Sequence, residues 1–316
     1  LIFLFLLFFN VFLSQTPSQP SNLNQLNIGI FQPSHKQVDK QNKRKRYSII
    51  RDYVNNVEKN ISKKNYDLIV FPETIIPRAL DNDLFTFALD NFTSTSDTSF
   101  LFGSSRRPKE NIYNSVVLYR SKENIITYDK VNLMPFGEYW PFKKLFQFFG
   151  LRNIIPNTEY SKGNRIQPIA YKDFQLGVGI CLELMYPSFF NAQTKNGADI
   201  LINLANSAWF HDSWISKTLF DMAIFRAVEN GRYVIQVSNI GISGIVSPDG
   251  QIIVSSELNK KSFISESLTL YKKDTIYTKY GNWFIGLSFI VILILIINNT
   301  INRLRDSILS VKTHYM

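Results

Sequence analysis

The chain has 316 residues, 45% hydrophobic and 19% charged, with 26 Phe, 15 Tyr and a formal net charge of +10. That length allows one large domain or two small ones, and the positive balance points to an anionic partner, nucleic acid or a lipid surface. No zinc-finger spacing, RNA-binding aromatic motif or Walker loop accompanies the charge, which favours lipid and no nucleic acid. One cysteine excludes an internal disulfide, and three scattered histidines, His35, His211 and His314, argue against a zinc site.

Residues 1–13 are apolar but for Asn10. They lack the basic start and small-residue cleavage site of a signal peptide, so the end of a transmembrane helix at the start of a fragment is expected. Residues 14–25, polar and Pro-bearing, read as a linker. Leu26 to Phe31 is a first strand. Tyr47, Ile50, Val54, Val57 and Ile61 recur at helical spacing and predict an amphipathic helix over Lys40 to Ser62. The basic run Lys43 to Arg46 at its start is expected to be a solvated face. Asp67 to Phe71 is a buried-type strand closed by Pro72-Glu73. Further strands are expected at 99–103, 113–119, 125–128, 167–171 and 174–180, with a helix after Pro187. Asp199 to Leu204 is another buried strand. A helix carrying Ile215, Leu219, Met222, Ala223 and Arg226 on one face follows, then strands at 233–238, 242–246, 252–255 and 263–268. Strands that alternate with helices in places and form hairpins in others indicate an α/β layered fold with mixed sheets. Trp283 to Ile297 is almost wholly apolar. As a helix it measures roughly 22 Å, and carrying it to Ile301 brings it near the ~30 Å of a bilayer core. Lysines precede it and arginines follow it, so the charge rule leaves its orientation open.

Three reactive residue types sit just past apolar strands: Glu73, Lys130 and Cys181. Chemistry in α/β sheets gathers at strand ends. A thiol needs a base, which a carboxylate in a partly apolar pocket can provide. A carbonyl under attack needs a cation or an N–H to hold its oxyanion. Cys, Glu and Lys together make an acyl-transfer site without histidine, metal or cofactor. Each residue alone has an ordinary reading, a buried structural cysteine or a solvated charge. The stretch from Trp140 to Leu151 is apolar with Lys143 and Lys144, the pattern of an interfacial arm. Trp140, Phe146, Phe148 and Phe149 are its candidate lipid contacts, with Trp209 and Trp214 as a second patch.

The motifs F-P-E (Phe71 to Glu73), Y-D-K-V-N-L-M-P-F-G-E-Y-W-P (Tyr128 to Pro141) and G-I-C-L-E (Gly179 to Glu183) resemble the nitrilase superfamily. The long second motif resembles its apolipoprotein N-acyltransferase branch. So do the stretches Asn203 to Phe210, Arg226 to Arg232 and Ser238 to Ser243. The resemblance implies a four-layer αββα sandwich over residues 26–270, a linker at 271–282, a transmembrane helix at 283–301 and a tail at 302–316. It implies catalysis by Glu73, Lys130 and Cys181, with the N–H of Leu182 at the oxyanion and Glu138 and Glu183 in support. It also implies a place in the bacterial inner membrane, with the catalytic domain on the extracytoplasmic side. The substrates would be a phospholipid acyl donor and a diacylglyceryl lipoprotein acceptor. Two positions depart from the family's pattern: Leu182 where Tyr is usual and Asn132 where His is usual. A membrane-tethered amidase or nitrilase would use the same trio, and a non-catalytic lipoprotein-binding remnant would retain its outline.

Overall fold

The computed structural model describes residues 25–150, 159–210 and 214–314. The apolar run at 1–13 and the linker up to residue 24 lie outside the described residues, as do the side chain of Trp209 and residue 151 at the end of the arm. Strand β1 (Gln25–Gln32) leads through α1 (Gln37–Gln41) and α2 (Arg46–Ile61) to β2 (Leu68–Val70). Then come α3 (Asp83–Ser96), β3 (Ser99–Arg106), β4 (Tyr113–Ser121), β5 (Asn124–Asp129) and the short α4 (Lys143–Phe148). The second half runs β6 (Ile169–Tyr171), β7 (Phe174–Ile180), α5 (Pro187–Lys195), β8 (Ile200–Ala205), α6 (Ile215–Asn230) and β9 (Tyr233–Ser238). It ends with β10 (Gly244–Val246), β11 (Ile252–Ser255), β12 (Ser262–Thr269), α7 (Ile276–Tyr280) and α8 (Trp283–His314).

Two six-stranded sheets form, in the orders β12-β1-β2-β3-β4-β5 and β11-β10-β9-β8-β7-β6. Each has a parallel centre, β1-β2-β3 in one and β7-β8-β9 in the other, flanked by antiparallel strands. The parallel strands are covered on both faces, which is why they read as unbroken apolar runs. In β2 the two-residue period sorts the faces. Leu68 and Val70 join the core shared with the second sheet. Ile69 turns the other way, into the core that α2 and α3 form on the first sheet. Phe189, Phe190, Leu219, Phe220 and Ala223 from α5 and α6 cover the second sheet from outside. Helices outside and two sheets inside make the nitrilase-like α/β layering.

Residues 40–62 are not one helix. Asn42 adopts an extended conformation (φ −77°, ψ 110°) and its side chain accepts the Arg44 N–H, so α1 stops and the chain restarts as α2. Within α2, Ile49, Ile50, Tyr53 and Val57 form the buried stripe, whereas Tyr47 in the first turn is 61% exposed. Lys43, Arg44 and Lys45 are exposed, as a solvated face requires. Gln25, placed in the linker by composition, pairs with Thr269 in the sheet instead. Helix α3 adds to the elements read from sequence; Asn82 caps it and Phe85, Leu89 and Phe92 bury its inner stripe.

The segment before α8 is tied to α5 and to the turn after α6: Asn191 Nδ2 donates to the Tyr277 carbonyl (3.2 Å) and Arg232 to the Lys273 carbonyl (2.9 Å). From Trp283 to Arg305, α8 is long and apolar enough to cross a membrane, and none of that stretch is buried in the protein. Among the described residues nothing encloses it as a core helix would be enclosed.

Candidate active site

Cys181 follows β7 directly, in the left-handed conformation (φ +52°), and opens a short 3-10 turn, Cys181–Met185. A non-glycine residue there costs about 1–2 kcal/mol, and Glu183 holds it. The fully buried Glu183 carboxylate accepts the Ile180 N–H through Oε2 (2.9 Å). Its Oε1 accepts the N–H groups of Val131 and Asn132 (2.9 Å each) and the Tyr128 hydroxyl (2.8 Å). One carboxylate thus staples the cysteine turn to the strand and loop that carry Lys130. Burial raises Glu183 to about 7 even though the Asn132 N–H, the Lys130 charge and the other donors oppose it. Every partner is a donor, so its geometry is that of an ionised acceptor.

Lys130, just past β5, is buried and bonds both oxygens of Glu138 (2.9 and 2.8 Å). Asn114, on β4, spends one amide group on two carboxylates: its Nδ2 donates to Glu73 Oε1 (2.8 Å) and to Glu138 Oε1 (2.7 Å). The Asn114 main-chain carbonyl also accepts the Lys130 main-chain N–H (2.8 Å). Glu73 follows β2 and packs on β3 at Gly103, where a Cβ would stand 2.5 Å from the Glu73 Cα. Only glycine lets the strand approach that closely. The ends of β2, β5 and β7 therefore bring Glu73, Lys130 and Cys181 within electrostatic reach of one another.

The charges order themselves. Burial raises Glu73, Lys130 opposes this and Glu138 adds to it. Burial and then Glu73 push the Cys181 thiol up to about 12, against Lys130 and the Asn206 main-chain N–H. Burial alone would lower Lys130, but Glu73, Cys181 and Glu138 more than offset it and keep the ammonium. Burial and Glu73 thus favour the protonated thiol, and the neighbouring acidic groups favour the Lys130 ammonium. Such a site suits base-assisted attack rather than a standing thiolate. Among the described residues no group of three His, Cys, Asp or Glu is placed to hold a metal ion.

Glu138 also receives the Met134 N–H (2.8 Å), closing a tight turn whose other residues face outward. Phe136, 57% exposed, packs edge-on against Trp140 (5.3 Å), and Trp140 against Phe146 (5.7 Å). Beyond them Phe148 and Phe149 stand in solvent, 82% and 65% exposed, and so does Trp214. The expected contact residues thus divide. Phe148, Phe149 and Trp214 are open, Trp140 and Phe146 form the half-buried base of the arm, and Trp209 is outside the described side chains. A cavity of about 450 Å³ lies beside the turn, lined by Val131, Asn132, Tyr139, Tyr160, Lys162 and Tyr186 among others. Asn132 faces it, whereas Leu182 packs partly buried on the core. Asn114 and Tyr128 are the site residues that sequence reasoning passes over. Tyr128 lies inside the long motif, but Asn114 looks like any polar residue near the start of a strand.

The sequence matches the family described as carbon-nitrogen hydrolase over residues 27–271. The chain belongs to that family. Among curated relatives it is similar to the apolipoprotein N-acyltransferase of Aquifex aeolicus, 32% identical over 216 residues, covering 66% of this chain and 46% of the relative. It is also similar to that of Rickettsia typhi, 28% identical over 291 residues, covering 88% of this chain and 56% of the relative. The chain spans about half the length of the curated relatives it matches. Among solved structures it resembles Nit3 of Saccharomyces cerevisiae, with a TM-score of 0.58, 19% identity, and coverage of 80% of this chain and 93% of that one. A carbon-nitrogen hydrolase of Helicobacter pylori is similar at 0.57, with 16% identity, 78% of this chain and 89% of that one. At such identities the likeness is one of fold, and it places the two-sheet layering within the family.

Proposed function

We propose that this protein moves a fatty acyl chain from a phospholipid to the N-terminal amine of a diacylglyceryl-cysteine lipoprotein, through a thioester on Cys181. The observation that carries the reading is the joining of two unlike features by one turn. Glu138 binds Lys130 inside the site, while Phe136 and Trp140, on either side of it, begin an arm of exposed aromatics. The names of the curated relatives agree with it.

In this reading Glu73 takes the thiol proton as Sγ attacks the ester carbonyl carbon. The Lys130 ammonium and the Leu182 N–H hold the oxyanion. The intermediate collapses, the ester C–O bond breaks, and Glu73 returns the proton to the leaving lysophospholipid oxygen. The acceptor amine then attacks the thioester carbonyl, Glu73 takes its proton, the C–S bond breaks, and the proton goes back to sulfur. Glu183 keeps the nucleophile's turn in place and Glu138 keeps Lys130 in place. The order of protonation favours this cycle, because the thiol gives up its proton only when attack begins.

Phe148, Phe149 and Trp214 would enter the acyl region of the bilayer. Each exposed aromatic left in water forgoes about 2 kcal/mol of burial, which lipid contact would recover. Residues 283–301 would span the membrane, with residues 26–270 as the catalytic unit on the extracytoplasmic face of the bacterial inner membrane. Incubating the purified full chain with phospholipid vesicles and weighing it intact tests the reading. The expected result is a fatty acyl adduct that maps to Cys181 and is absent from Cys181→Ala. A small-acid adduct from an amide substrate, with none from phospholipid, would mean C–N hydrolysis instead.

A further inference from the structure

Among the described residues two lysines are buried, Lys130 and Lys40. Lys130 belongs to the site already described. Lys40, 1% exposed, lies on α1, and its ammonium donates to the main-chain carbonyl of Glu73 (3.3 Å). The loop that carries it is firmly placed. Asn206 Nδ2 donates to Gln37 Oε1 (2.9 Å), and the His35 N–H donates to Asn239 Oδ1 (3.0 Å). Asn239 Nδ2 in turn donates to the His35 carbonyl (2.8 Å) and to Asn206 Oδ1 (2.9 Å). The same Asn206 offers its main-chain N–H toward the Cys181 thiol. The loop after β1 is therefore a third wall of the site, locked to the ends of β8 and β9.

Burying an ammonium forfeits several kcal/mol of hydration. A single neutral carbonyl at 3.3 Å offsets little of that. The one titratable group with a resolved influence on Lys40 is Glu73. Facing Glu73 are Lys130, Glu138, Lys40 and Cys181, with the Asn114 amide on its carboxylate and the Tyr160 phenol within reach. Lys130 directs its hydrogen bonds to Glu138, whereas the hydrogen bond of Lys40 goes to Glu73 itself.

We infer that Lys40 is a positioning residue for the base of the site: it clamps the main chain at Glu73 and supplies the counter-charge behind that carboxylate. The inference rests on the reading of Glu73 as the base. Burial lowers Lys40 to about 7, with Glu73 opposing the shift, so the lysine is a cation on the acid side of neutrality and loses its charge above it. A cation beside a carboxylate favours the ionised form. Removing it raises the pH at which Glu73 becomes a base, so the acidic limb of the rate profile moves upward. Above neutrality Lys40 is already discharged, so the charge effect fades there and any difference that remains reports the lost clamp on the Glu73 main chain.

The test measures acylation of Cys181 in the purified full chain by a p-nitrophenyl fatty ester from pH 5 to 9, read by intact mass, with melting temperature as a control. Lys40→Met should move the acidic limb up by about one pH unit, which is about tenfold in rate on that limb. Lys40→Gln keeps a donor for the Glu73 carbonyl, so it should show the same shift with a plateau closer to wild type. It also decides the matter should the Met variant fail to fold. An acidic limb that coincides with wild type in a folded variant overturns the inference and leaves Lys40 a packing residue. A wild-type chain that forms no adduct at Cys181 sinks the catalytic reading, and this inference with it.

Discussion

The polar cluster at the strand ends and the aromatic arm that leaves it depart from ordinary soluble patterning in opposite directions. In the cluster, Glu73, Lys130 and Glu183 are buried, yet each has named partners. In the arm, Phe142, Phe148 and Phe149 are large and apolar and stand in water. Buried charge is tolerated where hydrogen bonds and opposite charge offset lost hydration. Exposed hydrocarbon is tolerated where something else covers it. One region is complete within the chain and the other is not. The contrast separates what the fold must hold rigid from what it must present.

Three variants probe that contrast. Lys130→Met should do the most harm, because it leaves the largely covered Glu138 and the buried Glu73 beside each other with only Lys40, behind Glu73, as counter-charge. Stability in urea should fall by about 3–5 kcal/mol and acylation of Cys181 by roughly 10²–10³-fold. Unchanged stability would mean that the carboxylates shed their charge or reach water. Gly103→Ala pushes a methyl against the Glu73 main chain. It should cost about 1–3 kcal/mol and slow adduct formation by about 10²-fold through displacement of the base. A rate loss no greater than the loss of folded protein would mean that Glu73 tolerates the shift. Phe148→Glu should leave urea stability within about 0.5 kcal/mol and turnover of a soluble ester intact, while acylation from phospholipid vesicles falls roughly tenfold. Equal loss on both substrates would place Phe148 among groups that serve the chemistry rather than the surface.

Much of the cluster is legible in the chain because α/β strands announce themselves as apolar runs and charged or reactive residues gather where those runs stop. Glu73, Lys130 and Cys181 all stand at such ends. Asn114 does not, and its role exists only because β4 lies between β3 and β5 in the sheet. Lys40 misleads in the same way: beside Lys43, Arg44 and Lys45 it looks solvated, but the break at Asn42 puts it inside and them outside. Tyr47 fits the helical period by count but stands exposed in the first turn of α2, where the buried stripe begins only at Ile49 and Ile50.

The sequence by itself determined which segments become strands, that one thiol, one carboxylate and one lysine end three of them, and that an aromatic stretch follows the lysine. These are local matters, set by side-chain type and by periods of two and 3.6 residues. Tertiary structure alone decided that those strand ends meet, that Glu183 rather than a cation steadies the cysteine turn, and that burial and Glu73 favour the protonated thiol. Each of these depends on which distant groups share a dry space, since burial and neighbouring charge set a proton's position and neither is a property of any one segment.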